Sequence, residues 1–177
     1  MKTSCFHYCG TLLFAGLIGG CGISVDNLIP PSSPALTPHF DKTIKVHNVT
    51  GAKETYFGGP ALVSNEDYTE ALVGTLKQSN LFQQVFTDKP GDYELITTIL
   101  AHGQDRGLDY KNAMVVEYRI VYAISKKPLW KKVVNSRHEV TVWQAFSGAA
   151  RTIRSQEGSV RKNLKQFITS LASAKFE

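Results

Sequence analysis

Between Tyr93 and Trp143 the chain is written almost entirely in period two, and this restricts its fold more than any other feature. Tyr93, Leu95, Thr97, Ile99 and Ala101 alternate with Glu94, Ile96, Thr98 and Leu100. Successive side chains of a strand point to opposite faces, so a run that is apolar in both registers near its middle predicts a central strand. Met114 to Ile124 puts Val116, Tyr118, Ile120, Tyr122 and Ile124 on one face, with Glu117 and Arg119 opposite. Trp130 to Trp143 puts Val134, His138, Val140 and Val142 on one side. Gly103 to Asn112 reads as a polar loop, and Lys126-Lys127-Pro128 predicts the turn of a hairpin.

The period then changes. Ile153, Val160, Leu164, Phe167, Ile168 and Leu171 share one face at about 100° per residue, which predicts a long amphipathic helix. Gly158 sits inside it at a cost of roughly 1 kcal/mol relative to alanine, which points to close packing on the sheet or to a kink. Upstream, Thr43 to Val49 reads as a first strand. Ser64 with Asp67 forms a capping box, and Tyr68, Leu72, Leu76 and Ser79 follow it at helical spacing. Gln84 to Phe86 is a short extended piece before the turn Lys89-Pro90-Gly91-Asp92. The order β-α-β-β-β-α predicts an α+β fold, an antiparallel sheet of about four strands with two helices packed on one face. Trp130 and Trp143 are expected to fill the helix–sheet core.

The N-terminus has another character. Lys2 precedes a short apolar stretch, Gly10 to Gly20, of the length of a secretory leader and shorter than the roughly 20 apolar residues of a membrane span. It closes on Leu17-Ile18-Gly19-Gly20-Cys21. This run resembles a bacterial lipobox, in which the cysteine is lipidated and becomes the mature N-terminus. The reading divides the chain into residues 1–20, a signal peptide; residues 21–39, a lipidated N-terminus and Pro-rich tether; and residues 40–177, a single α+β periplasmic domain. Pro30, Pro31, Pro34 and Pro38 with Ser32 and Ser33 predict an extended tether holding the body up to ~50 Å from the lipid. Cys5 and Cys9 lie in the leader, so the mature chain keeps only Cys21. The lipid takes its sulfur, and no thiol is left for a disulfide, a metal or nucleophilic chemistry. An Asp just after the cysteine would favour the inner membrane; Gly22 stands there, which predicts an outer-membrane, periplasm-facing protein.

Removing residues 1–20 leaves 157 residues with 19 basic and 15 acidic side chains. That is one domain, with a mild cationic excess suited to anionic lipid, lipopolysaccharide phosphates or an acidic partner rather than to nucleic acid. Arg151, Arg154, Arg161, Lys162 and Lys165 fall within about 100° of arc on the final helix and form a candidate patch for such an anion or partner. Tyr56 and Phe57, in the loop Gly51 to Pro60, are candidate contact residues. The sequence holds no nucleophile elbow, P-loop, zincin or dinucleotide motif, and the histidines are scattered. No catalytic residue, metal site or cofactor is therefore predicted.

Leu81-Phe82-Gln83-Gln84-Val85, Asp92-Tyr93-Glu94-Leu95, Leu129-Trp130 and Glu157-Gly158-Ser159-Val160-Arg161-Lys162-Asn163-Leu164 resemble an uncharacterised family of proteobacterial outer-membrane lipoproteins, over about Tyr56 to Ala172. In architecture the chain is also similar to the lipopolysaccharide-assembly lipoprotein that plugs a barrel and to the auxiliary lipoproteins of ABC-type transport. These resemblances imply a non-enzymatic accessory or binding component of a lipid, lipopolysaccharide or other envelope machine, held to outer-membrane lipid by acyl chains on Cys21. The alternative is a hydrolase or transferase of envelope components.

Overall fold

The computed structural model describes residues 23–31, 40–52 and 63–176. The elements are α1 (Val25–Leu28), β1 (Phe40–Val46), α2 (Asn65–Ser79), β2 (Phe82–Phe86), β3 (Tyr93–Arg106), β4 (Tyr110–Tyr122), β5 (Pro128–Val140) and α3 (Gly148–Ala172). The strands form one sheet in the order β2-β1-β3-β4-β5.

The α+β class holds, and two details of the expected sheet do not. There are five strands, because the short extended piece is β2, and the sheet is mixed. β1 pairs in parallel with both β2 and β3, whereas β3-β4 and β4-β5 are antiparallel. The reason lies in α2: a strand followed by a helix crossover returns in the same direction, so β2 lies beside β1 as its parallel partner. β3 is central, as expected, but only one of its faces is buried, and Leu100 on the other is 52% exposed. The expected polar loop Gly103 to Asn112 is mostly strand, and only Gly107 to Asp109 turns between β3 and β4.

α2 begins where predicted. The Ser64 hydroxyl accepts from the Asp67 N–H at 2.9 Å, and Asn80 ends the helix in the left-handed conformation. α2 starts beside the C-terminal end of β1, where Val49 N–H donates to Thr69 Oγ1 and Ala52 N–H to Asn65 Oδ1. It finishes beside the start of β1, where Phe40 N–H donates to the Leu81 carbonyl. α3 runs the same way. Its first turn meets Tyr110, at the start of β4, and the chain after its last turn brings Phe176 onto Phe40 and Tyr93.

Both helices cover one face of the sheet. Ile44, Val46, Leu95, Ile99, Met114, Val116, Tyr118 and Ile120 pack there against Leu72, Leu76, Val160, Leu164, Phe167 and Leu171. The other face is wet, with Glu117 paired to Lys131 and Arg119, and Glu94 paired to Lys126.

β1 pairs with β3 only over Tyr93 to Leu95, with one further bridge from Thr50 to Thr98. Beyond that level β3, β4 and β5 continue as a three-stranded projection covered by the first half of α3. Its free end, carrying the Gly107–Asp109 turn, is the hairpin end.

The tether expectation is corrected for residues 23–31. Val25–Leu28 is helical and Leu28 is fully buried among α2 and α3 residues. Asn27 Nδ2 donates to Glu157 Oε1 at 2.9 Å, and Arg161 donates to the Asn27 carbonyl. The proline content drew the reading toward an extended chain, but Ile23, Val25, Leu28 and Ile29 supply an apolar stripe that α2 and α3 bury. Burying a leucine is worth about 2 kcal/mol, and the packing of Ile23, Val25 and Ile29 and the Asn27 hydrogen bonds add to it in holding the turn.

Candidate functional site

Cys21, Tyr56 and Phe57 lie outside the described residues. The five cations of the α3 stripe are described, and they divide into two groups. Arg151 donates to the carbonyls of Ala145 and Phe146 at 2.8 and 2.9 Å and lies over the Tyr110 ring, 4.8 Å from its centroid. Arg154 donates to the Gln144 carbonyl, and Arg161 to that of Asn27. A guanidinium carries several donors in a fixed fork, and these three direct donors to main-chain carbonyls of their own chain.

The two lysines face elsewhere. Lys162 and Lys165 flank a groove of about 580 Å³ between α3 and β5, lined also by Lys132, Val133, Asn135, Gln166 and Thr169. Lys162 Nζ reaches the Arg137 carbonyl at 3.2 Å, and Lys132, Lys162 and Lys165 are exposed. Among the described residues β5 is an outer strand of the sheet, and one side of its backbone has no strand partner. Three ammonium groups thus ring a groove beside an open edge, a geometry suited to an acidic extended segment or a phosphorylated headgroup. Lys132 comes from the strand, so no reading of the helix alone could find it.

Beneath this surface runs a buried polar seam. The Tyr68 and Tyr118 hydroxyls lie 2.6 Å apart and converge on Asn163 Oδ1 at 3.2 and 2.7 Å. Asn163 Nδ2 donates to the Val134 carbonyl and to Ser136 Oγ, each at 3.1 Å. Burial pushes both phenols up from their ordinary value, so they stay protonated. Further along, Ser159 Oγ donates to Asn112 Oδ1, which also meets His102 Nε2 at 3.1 Å. Gln104 Nε2 donates to Ser155 Oγ at 2.9 Å. Burial lowers His102 below its ordinary value and keeps its ring neutral. The seam joins helix to strands: Tyr68, Asn112, Tyr118, Ser155, Ser159 and Asn163 are buried, and His102 and Gln104 are half-buried at its edge.

His138 lies in the helix–strand interface with its ring against Gly158: a methyl group there would sit 2.1 Å from the ring Cδ2. Gly158 therefore marks close packing. Asp109 Oδ1 accepts from the Val142 N–H at 3.1 Å, a structural use. Trp130 packs at the core margin near Phe167. Trp143 is corrected: β5 ends at Val140, and Trp143 stands 83% exposed in the following turn.

No family model and no curated protein matches the sequence. The fold does have relatives among solved structures. A Xanthomonas campestris protein of the DUF330 family is similar, with a TM-score of 0.60 at 13% identity over 81% of this chain and 87% of that one. A hypothetical protein from Chlamydia trachomatis gives 0.55 at 10% identity, covering 75% and 96% of the two chains. A candidate lipoprotein from Caulobacter crescentus gives 0.50 at 15% identity, covering 72% and 88%. At these identities the likeness is one of fold.

Proposed function

We propose that this protein is a non-enzymatic, lipid-anchored envelope lipoprotein whose body is a binding component of a lipid, lipopolysaccharide or other envelope assembly or transport machine. The observation that carries the binding role is the groove in which Lys132, Lys162 and Lys165 surround the open edge of β5. Its ligand is anionic: an acidic segment of a partner protein laid along β5, or a lipid phosphate seated in the groove. Anchoring rests on the lipobox ending at Cys21, and the Caulobacter fold relative described as a lipoprotein supports it. Among the described residues no helix is long and apolar enough to cross a membrane.

The test uses the native lipidated protein purified from membranes, with mass spectrometry of the proteins and lipids that accompany it. Lys132→Glu together with Lys165→Glu should remove an accompanying acidic protein or anionic lipid. An unchanged set of companions would refute the groove as the binding site. Labelled palmitate should enter the wild type and not the Cys21→Ser variant; equal labelling would refute the anchor.

A further inference from the structure

The hairpin end of the molecule exposes three large apolar side chains together. Leu108, in the β3–β4 turn, is 76% exposed; Trp143 and Phe146, in the connection from β5 to α3, are 83% and 80% exposed. Asp109 ties the two segments together through the Val142 N–H.

The connection is rigidly built. Gln144 and Ala145 N–H both donate to the Thr141 carbonyl, and the Gln144 side chain accepts from Thr141 N–H at 2.8 Å. Arg151 and Arg154 then hold the carbonyls of Gln144, Ala145 and Phe146 from α3. The result is a knuckle whose backbone is held at several points by its own chain and whose aromatic side chains are left outside. A loop collapsed for stability alone would turn Trp143 inward. Around it stand Arg106, Lys111, Arg151 and Arg154, against Asp105, Asp109 and Glu139. Tryptophan and phenylalanine beside arginine and lysine is the composition of a surface that sits in a bilayer's headgroup region.

The course of the N-terminal segment points the same way. α2 and α3 both run away from the hairpin end. Asn27 bonds to Glu157 and Arg161, about the middle of α3, whereas Ile29 packs against Gly74, two-thirds of the way along α2. The chain therefore travels away from the hairpin end as it passes from Asn27 to Ile29. Glu157 lies about 15 Å along the helix from Ser147. From Asn27 back to Cys21 the chain reaches up to about 17 Å. The acyl anchor and the aromatic knuckle can thus occupy one plane.

We infer that Leu108, Trp143 and Phe146 form a second membrane contact, pressed into the headgroup region of the bilayer that holds the lipidated Cys21, so that the body lies against the membrane in one orientation. The inference rests on the anchoring reading proposed above, and the experiment separates the two. The native lipidated protein is reconstituted into vesicles of phosphatidylethanolamine and phosphatidylglycerol, with or without phosphatidylcholine brominated in the upper acyl chain. Flotation reports anchoring, and tryptophan emission reports contact. Trp130, at the other end of β5, serves as the internal reference. The expected result is flotation with loss of emission in brominated vesicles for the wild type and no such loss for Trp143→Phe. Flotation with equal emission in both vesicle types would overturn the second contact while leaving the anchor standing. A protein that stays at the bottom of the gradient would overturn the anchor and this inference with it.

Discussion

Replacing Gly158 by alanine sets two effects of known sign against each other. In an exposed helix the change stabilises, because glycine gives up roughly 1 kcal/mol of conformational freedom relative to alanine. Here the added methyl would lie 2.1 Å from His138 Cδ2 and 2.3 Å from Cγ, far inside van der Waals contact. The ring has little room to retreat, because His138 pairs across the sheet with Asn112, which Ser159 and His102 already hold. Overpacking of this kind costs about 1–3 kcal/mol. After the propensity gain is offset, Gly158→Ala should destabilise the protein by up to about 2 kcal/mol, or up to roughly 8 °C in Tm for a domain of this size.

The mechanism is checked in a four-protein cycle. In a His138→Ala background the clashing ring is gone, and Gly158→Ala should stabilise by about 1 kcal/mol. The coupling between the two sites is then about 1–3 kcal/mol, above the scatter of about 0.3–0.5 kcal/mol for independent sites. Urea denaturation followed by circular dichroism measures all four. A Gly158→Ala variant that is as stable as the wild type or more so, with the same effect in both backgrounds, would refute close packing as the reason for the glycine.

Three further outcomes are expected. Asn163→Ala leaves the Tyr68 and Tyr118 hydroxyls without their shared acceptor and the Val134 carbonyl without its donor, which should cost about 3 kcal/mol in chemical denaturation. Burial holds His102 below 6.5 in the folded protein, and His138 is shifted in the same direction, so the unfolded chain takes up protons first. Their contribution is whole above about pH 6.5 and is lost as pH falls toward the folded values; thermal melts from pH 7 to 5 should show the decline, and His102→Gln should flatten it. Leu28→Ala should cost about 2–4 kcal/mol and open residues 23–31 to proteolysis, because Leu28 is wholly buried; unchanged stability would exclude α1 from the cooperative core.

What the sequence made legible follows from the range over which each signal acts. The Ser64 cap, the helical spacing of α2 and α3 and the three long strands are local patterns, and all are present in the structure. The parallel placement of β2 is not local: Phe82 to Phe86 is too short for its alternation to declare a partner, and the α2 crossover decides it. The docking of residues 23–31 was hidden because proline content speaks of the backbone, whereas the stripe Ile23, Val25, Leu28 and Ile29 matters only beside the groove between α2 and α3. The cationic stripe on α3 was visible, but its use was not. Arg151, Arg154 and Arg161 sit opposite main-chain carbonyls that only the fold brings to them, and Lys132 joins Lys162 and Lys165 from a strand. Trp143 was misplaced because alternation continues in the sequence past Val140, where the Thr141–Gln144 turn ends the strand.

The polar seam bears on why the aromatic knuckle can be rigid. On α3, Ser155, Gln156, Glu157, Ser159 and Asn163 are all buried, a content that would weaken an ordinary core. They cover the projecting part of the sheet, where α3 alone roofs three strands and apolar packing could accept a helix rotated or slid by one residue. Hydrogen bonds cannot. Ser155 meets Gln104, Ser159 meets Asn112, and Asn163 meets Val134 and Ser136 in a single register. A one-residue slip would turn each by about 100° and leave it unpaired in a dry interface at about 1–3 kcal/mol apiece. The same slip would swing Arg151 and Arg154 away from the carbonyls of Gln144, Ala145 and Phe146, releasing the turn that displays Trp143. Buried polar groups of this kind add little net stability, and their use is to exclude alternatives. In this fold the alternative they exclude is a helix whose first turn no longer holds the surface at the hairpin end.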